Sequence, residues 1–192
     1  MKVCIVAEGC YPYVVGGVSG WINSMIKSFP NIEFILLTIV ANRSVRGKFV
    51  YELPENLTQV YELYLEDCEW EEGERERKVR KRFHLSKKER TELTNLVMNR
   101  KIEWGVIFDL FQRKGVSVDD LLMGPDFFQI VRECYKRQYA NIVFSDFLWT
   151  MRSIYLPLFW TLKMKVPQAD LYHCVATGYA GVLGSMAKHF HN

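Results

Sequence analysis

The chain has 192 residues, of which 49% are hydrophobic and 24% are charged, and its formal net charge is +3 at pH 7. This is the composition of an ordinary globular protein, and so small a charge excess gives no reason to expect a nucleic-acid partner. The five cysteines are odd in number and show no C-x-x-C spacing, which argues against a disulfide framework and against a zinc site. We therefore expect a reducing, cytoplasmic setting.

The first predicted elements are a strand, a glycine-rich turn and a helix. Residues 3–7 form an uninterrupted apolar run that suits a strand covered on both faces. Apolar residues spaced three and four apart follow from Val18 to Phe29 and indicate a helix that buries one face. Gly16 and Gly17 fall where this helix begins, so the backbone can approach a ligand and direct N–H groups at it. Glycine is also frequent in such turns for steric reasons alone.

Two known phosphate-binding motifs do not fit this turn. A dinucleotide fingerprint needs Gly-x-Gly-x-x-Gly, and only the segment from Gly17 to Gly20 has part of that spacing. A P-loop needs Gly-Lys followed by Ser or Thr, and the chain contains no such triplet. A nicotinamide-binding Rossmann protein and a P-loop protein are therefore both disfavoured.

Further strands are predicted on both sides of a long helical region. Residues 34–40 form a second apolar run, and residues 60–65 alternate in the manner of a third strand. The run at 171–176, which contains Cys174, is predicted to be another buried strand and leads through Thr177 and Gly178 into a helix. Ligands of open parallel sheets bind beyond the carboxyl ends of the strands, so we expect the two turns to face one crevice.

Residues 66–166 are predicted to be a charged and helical insertion. Three acid–base pairs near its start have the favoured helical order: Glu71 with Arg75, Glu74 with Lys78, and Glu76 with Arg80. They indicate a solvated, salt-bridged helix or, alternatively, a basic face that contacts anionic lipid or an acidic partner protein. Further on, Ser86 and Ser117 are predicted helix caps, and Pro157 is expected to kink or divide a helix. The aromatic residues of this region are expected in its core.

Four side chains near the expected crevice have two open interpretations each. Glu8 ends the first strand and either accepts hydrogen bonds from sugar hydroxyls or caps backbone N–H groups. Tyr11 and Tyr13 either stack on a sugar ring or pack the loop. His173 is flanked by apolar residues in a strand and is either a hydrogen-bonded core residue or part of a site.

The segment 7–21, Ala-Glu-Gly-Cys-Tyr-Pro-Tyr-Val-Val-Gly-Gly-Val-Ser-Gly-Trp, resembles the N-terminal loop of glycosyltransferase family 4 enzymes of GT-B fold. The likeness is closest to the PelF branch, which makes Pel exopolysaccharide, and extends to residues 51–56, 151–157 and 169–184. Many family members have Asp-x-x-His-x-His where this chain has Asp170, His173 and Val175. The second histidine is therefore replaced, and the resemblance assigns no catalytic residue.

The resemblance implies an α/β fold, the Rossmann-like N-terminal half of a GT-B glycosyltransferase, with a parallel sheet and a large helical insertion. The expected parts are 1–65, 66–166 and 167–192 of one incomplete domain, with a C-terminal nucleotide-sugar domain absent. It also implies the acceptor side of a retaining enzyme that transfers a sugar from a nucleotide sugar, such as a UDP-sugar, to a growing exopolysaccharide. No metal or other cofactor is expected, and the fragment is expected to be inactive alone.

The crevice and the resemblance together give a set of expected substrate-binding residues. They are Glu8, Gly9, Tyr11, Gly16, Gly17, Val18, Ser19, His173, Thr177, Gly178 and Tyr179. The alternative function is an interaction module that docks onto inner-membrane synthase proteins through the helical insertion.

Overall fold

The computed structural model describes residues 1–68 and 84–191. The three acid–base pairs between residues 71 and 80 lie outside the described residues, so the salt-bridged helix there stays a prediction. The chain divides into two compact units, one of Met1–Cys68 with Met164–Asn192 and the other of Glu69–Lys163. The elements in chain order are β1 (Lys2–Glu8), α1 (Gly17–Ser28), β2 (Glu33–Val40), β3 (Leu57–Tyr64), α2 (Lys87–Val97), α3 (Trp104–Gln112), α4 (Val118–Leu122), α5 (Pro125–Cys134), α6 (Phe144–Lys163), β4 (Leu171–Cys174) and α7 (Tyr179–His191).

The first unit is built on a parallel sheet with the strand order β3-β2-β1-β4. The chain therefore steps in one direction from β1 to β3 and then crosses to the other side of β1 for β4. Such an order is that of a doubly wound sheet, and it confirms the predicted Rossmann-like α/β fold.

The core of this unit lies between β1, β2 and α1. Ile22 and Ile26, one turn apart on α1, are fully buried and pack with Ile5 of β1 and Leu36 of β2. Burying a side chain of this size contributes roughly 1.5–3 kcal/mol, so four of them outweigh the cost of the glycines in the first turns of α1. The apolar runs at residues 3–7 and 34–40 thus form the strands β1 and β2, as predicted.

The fourth strand differs from its prediction. β4 ends at Cys174 and is an edge strand of the described sheet, with a half-exposed and exposed alternation instead of full burial. Cys174 is half-buried, whereas Cys4 in the central strand is fully buried and burial raises the pKa of its thiol to about 12. The prediction that 171–176 is a buried strand is therefore wrong, because an apolar run does not show which strand lies at an edge.

The second unit is helical. Ser86 accepts a hydrogen bond from the Glu89 N–H while the Glu89 carboxylate accepts from the Ser86 N–H, and Ser117 accepts from the Asp120 N–H, so both predicted caps are confirmed. α6 continues through Pro157 instead of dividing there, because large buried side chains hold it on both sides of the proline. Phe111, Phe127 and Phe159 are fully buried, which confirms that these aromatics form the core of the unit.

No helix in residues 1–68 and 84–191 is both long and apolar enough to cross a membrane.

Candidate functional site

The strand order places a crevice at the carboxyl ends of β1 and β4. β1 lies between β2 and β4, and the direction of chain progression reverses there. Loops that leave two such strands run to opposite sides, which opens a cleft at that edge of the sheet. The loop after β1 leads into α1 and the turn after β4 leads into α7. Both predicted turns, at Gly16-Gly17 and at Thr177-Gly178, therefore follow the two strands that flank the reversal.

Glu8 caps the N-terminus of α7. Its Oε2 atom accepts a hydrogen bond from the Ala180 N–H at 3.2 Å, at the positive end of the helix dipole. A Cβ added to Gly178 would lie 2.8 Å from Oε2 and 3.1 Å from Oε1 of Glu8, so a side chain at 178 would displace the carboxylate. The half-buried carboxylate has acceptor sites beyond this one bond, so capping does not prevent it from accepting a ligand hydroxyl.

The first turn of α1 is open by comparison. Gly16, the residue before the helix, has φ 176° and ψ 173°, an extended conformation that other residues adopt equally well. Among the described residues, no side chain is hydrogen-bonded to the first N–H groups of the helix, and its first turn contains no acidic residue. A Cβ at Gly16 or at Gly17 would meet no atom within 4 Å. The described residues around the turn would therefore accommodate a side chain at either position. Because glycine has none, the N–H groups of the turn stay accessible.

Three of the predicted site residues are buried or have a structural role. Tyr11 is fully buried, its ring centroid lies 5.3 Å from that of Tyr51, and burial raises the pKa of its hydroxyl to about 12. It therefore packs the loop and offers no stacking surface, which corrects that interpretation. Ser19 is also buried, so its hydroxyl presents almost no surface to a ligand. Gly9 has a φ of 64° and donates its N–H to the Ile39 carbonyl, so glycine is favoured there by the turn.

The remaining predicted residues lie at the surface of the same region. Val18, Thr177 and Gly178 are exposed and Tyr179 is half-buried. Tyr13 is half-buried, its ring meets Phe49 edge-on at 5.4 Å, and its buried hydroxyl has no hydrogen-bond partner among the described residues. Thr177, Gly178 and Tyr179 therefore lie at the turn that follows β4 and Val18 at the start of α1, whereas Tyr13 packs against the segment between β2 and β3.

His173 is exposed, and the interpretation of it as a core residue is wrong. It stands opposite Ile5 in the strand register, on the face that α1 covers over the neighbouring strands. Its ring lies against that of Trp21, with centroids 5.5 Å apart and an interplanar angle of 37°. Because β4 is an edge strand of the described sheet, this face of His173 is left open.

Trp21 is a candidate residue that the sequence reasoning missed. It falls within the apolar spacing from Val18 to Phe29 that predicts the buried face of α1, yet 49% of it is exposed. Its position is four residues after Gly17, so it shares a stripe of the helix with the open glycine turn instead of with the buried Ile22 and Ile26. The spacing of these residues along α1 predicts that Trp21 lies beside the buried face and not on it. Trp21 and His173 therefore form an aromatic pair beside the crevice.

The residues around the carboxyl end of β1 include both hydrogen-bond donors and acceptors. The open turn of α1 supplies N–H donors, and Glu8 supplies carboxylate acceptors. Within the described residues, no group of three His, Cys, Asp or Glu side chains is arranged to hold a metal ion. The arrangement can bind a ligand that both donates and accepts hydrogen bonds, as a polyhydroxyl compound does.

Comparison with known proteins gives one match. The family described as a domain of unknown function (DUF3492) matches residues 1–192. No curated protein and no solved structure matches the chain.

Proposed function

The chain belongs to the DUF3492 family of N-terminal domains associated with glycosyltransferases, and from this premise we propose that it is the acceptor-side domain of a retaining family 4 glycosyltransferase. The donor is a nucleotide sugar, with a UDP-sugar expected, and the acceptor is a growing exopolysaccharide. The likeness of residues 7–21 and 169–184 to the PelF branch supports the choice of acceptor.

The observation that carries the proposal is the position of the Glu8 carboxylate at the crevice. A second anion placed about 4 Å from it would be repelled by roughly 4 kcal/mol at the effective dielectric of a protein surface. The diphosphate of a nucleotide is therefore disfavoured beside α7. A neutral sugar hydroxyl can instead donate a hydrogen bond to Glu8, which supports an acceptor saccharide on this domain.

The open turn of α1 complements Glu8. N–H groups at Gly17 and Val18 can donate to the ring or hydroxyl oxygens of a saccharide, and the absence of side chains at Gly16 and Gly17 lets the ring approach them. The exposed ring of Trp21 provides an apolar surface for the C–H face of a sugar.

The contribution of this domain to the reaction is positional. In the transfer, a bond forms between the anomeric carbon and an acceptor oxygen, the bond to the nucleotide diphosphate breaks, and the acceptor hydroxyl loses its proton. Glu8 and the α1 turn hold and orient that acceptor, and this kind of orientation can supply several kcal/mol of rate acceleration. The nucleotide and its departing diphosphate belong, in this proposal, to a C-terminal domain.

The test is transfer from UDP-glucose and UDP-N-acetylhexosamines by the full-length protein and by residues 1–192 alone. We expect transfer by the full-length protein only. Gly17→Leu should raise the KM for the acceptor by about 10-fold or more, because its side chain fills the space in front of the N–H donors. Ser24→Leu, at an exposed site farther along the same helix, is the matched control and should leave KM unchanged.

Failure of the proposed function and failure of the proposed acceptor site give different results. Absence of transfer by the full-length wild-type protein, with every donor, would overturn the proposed function. Normal acceptor KM in the Gly17→Leu enzyme would keep the function and remove the α1 turn from the acceptor site.

A further inference from the structure

The turn between α5 and α6 exposes apolar side chains at a fixed position in the second unit. It follows a π-helix at Tyr135–Tyr139, and we refer to residues 139–143 as the α5–α6 turn. Ile142 and Val143 are 43% and 63% exposed, and Tyr139 is also exposed. Apolar residues scattered singly over a surface are normal, but three within five residues form a local apolar patch.

Hydrogen bonds and an aromatic contact within the protein hold the α5–α6 turn in place. The Tyr135 hydroxyl donates to the Ile142 carbonyl at 2.7 Å, and the Ile142 N–H donates to the Tyr139 carbonyl at 3.2 Å. The ring of Tyr139 stacks on that of Phe147 with centroids 4.9 Å apart. Several backbone polar groups of the turn are thus satisfied within the protein, which lowers the cost of moving the turn into a medium that offers few hydrogen bonds.

Basic side chains precede the turn in the chain and follow the neighbouring helix α2. Arg132, Lys136 and Arg137 are exposed on α5 and the π-helix that lead into it. Arg100 and Lys101 follow α2, whose C-terminal end meets α5, because the Cys134 Sγ atom lies 4.0 Å from the Val97 carbonyl oxygen. Burial raises the pKa of the Cys134 thiol, and the nearby Arg100 guanidinium opposes that change.

These five basic side chains have no ion-pair partner among the described residues. Of the acidic residues close to them in sequence, Glu133 is engaged by Arg90 at 3.7 Å, and the exposed Asp146 offsets one of the five charges. The end of the unit that carries the α5–α6 turn therefore combines an apolar patch with an excess of positive charge.

We propose that the α5–α6 turn is a docking site for the surface of an anionic lipid bilayer, with Ile142 and Val143 entering the interfacial region and the flanking Lys and Arg side chains contacting lipid phosphates. Apolar residues ringed by basic ones bind such surfaces through apolar burial and electrostatic attraction together. None of these residues belongs to the candidate acceptor site, and the inference does not depend on the proposed transferase activity. An acidic protein partner would explain the charge, but a turn with internally satisfied backbone groups and apolar residues at its apex fits lipid better.

The experiment is flotation of the 192-residue chain with vesicles made of equal parts phosphatidylglycerol and phosphatidylcholine, beside vesicles of phosphatidylcholine alone. We expect binding to the anionic vesicles only, and weaker binding as the salt concentration rises. Ile142→Asp with Val143→Asp should weaken binding by about 10-fold or more, since both apolar anchors are replaced by anions. Lys136→Gln with Arg137→Gln should weaken it by roughly 25-fold, since each basic side chain contributes about fivefold near an anionic surface.

Matched controls separate the site from general effects of charge and folding. Ile154→Asp changes an apolar residue with 56% exposure that lies about 16 Å farther along α6, and it should leave binding unchanged. Lys27→Gln with Lys87→Gln removes the same charge elsewhere and should weaken binding far less than the turn variant does. Circular dichroism of every variant should match the wild type.

Three outcomes would overturn the proposal. They are absence of binding to anionic vesicles, equal binding to neutral vesicles, and equal losses in the turn and control variants. Self-association that Val143→Asp abolishes, in a chain that does not float with vesicles, would instead make a second copy the occupant of the turn.

Discussion

The two helices that begin at the crevice differ in how their N-termini are satisfied. α7 is capped by Glu8, which lies 172 residues from Ala180 in the chain, whereas α1 has no acid in its first turn and no side-chain cap from the part of the chain that the structure describes. Every helix N-terminus presents N–H groups that need acceptors. The fold therefore satisfies one N-terminus internally and leaves the donors of the other to solvent or a ligand.

The glycines that precede α1 and α7 are favoured for different physical reasons. Gly178 precedes α7 and makes room for a carboxylate that would collide with a Cβ. Gly16 precedes α1, has an unstrained extended conformation and faces empty space. The same residue type thus serves internal packing in one turn and accessibility in the other. The difference can be tested by placing the same side chain, valine, at both positions.

The largest effect is expected from Gly178→Val. The new side chain should displace the flexible end of Glu8 and destabilise the protein by about 1 kcal/mol or somewhat more, mainly through the lost cap of α7. Gly16→Val is the matched control, because it puts the same side chain before α1 where nothing lies within 4 Å, and it should cost about half as much or less. Urea unfolding followed by circular dichroism measures both.

The contact with Glu8 can be isolated by a double-mutant cycle. Gly178→Val should cost less in a Glu8→Ala background than in the wild type, with a coupling of about 1 kcal/mol. Purely additive effects would show that the Gly178 turn is constrained by something other than the carboxylate.

The next effect is that of Glu8→Ala alone. Loss of the cap should destabilise the first turn of α7 by about 1 kcal/mol and speed amide hydrogen exchange at Ala180 and its neighbours by roughly fivefold. Glu33→Ala removes a half-buried acid that pairs with Lys2 in the same unit, and it should leave exchange in α7 unchanged. Unchanged exchange in the Glu8→Ala protein would mean that solvent satisfies the turn equally well.

The fold was largely predictable because its strongest signals are local. Buried strands at residues 3–7 and 34–40 and the amphipathic α1 follow from apolar periodicity, and the caps at Ser86 and Ser117 follow from short-range spacing. The exposure of His173 was not predictable in this way. It depends on β4 being an edge strand, which is a property of the strand order and not of residues 171–174.

The candidate site was predictable in position and less so in detail. Strand-turn-helix patterns at both ends of the chain located Gly16 and Gly178 on the two turns that follow β1 and β4. The role of Glu8 depends on a helix that begins 171 positions later in the sequence, so no local pattern could choose between capping and ligand binding. Tyr11 looked like a surface aromatic because it lies in a loop, yet the loop folds inward over β2, where Thr38 donates a hydrogen bond to the Tyr11 carbonyl.

The smallest expected effect comes from giving α1 the feature that α7 already has. Gly16→Asp introduces a side chain that can accept from the first N–H groups of α1 and carries the charge that the helix dipole favours, so it should stabilise the protein by about 0.5–1 kcal/mol. Gly16→Asn supplies a similar cap without the charge and should stabilise slightly less. If α1 is the donor side of an acceptor site, both changes should also weaken acceptor binding in the full-length protein, because the new side chain competes for the same N–H groups. A gain in stability with unchanged acceptor binding would show that the missing cap of α1 is unrelated to ligand binding. Unchanged stability in both variants would show instead that solvent already satisfies the turn.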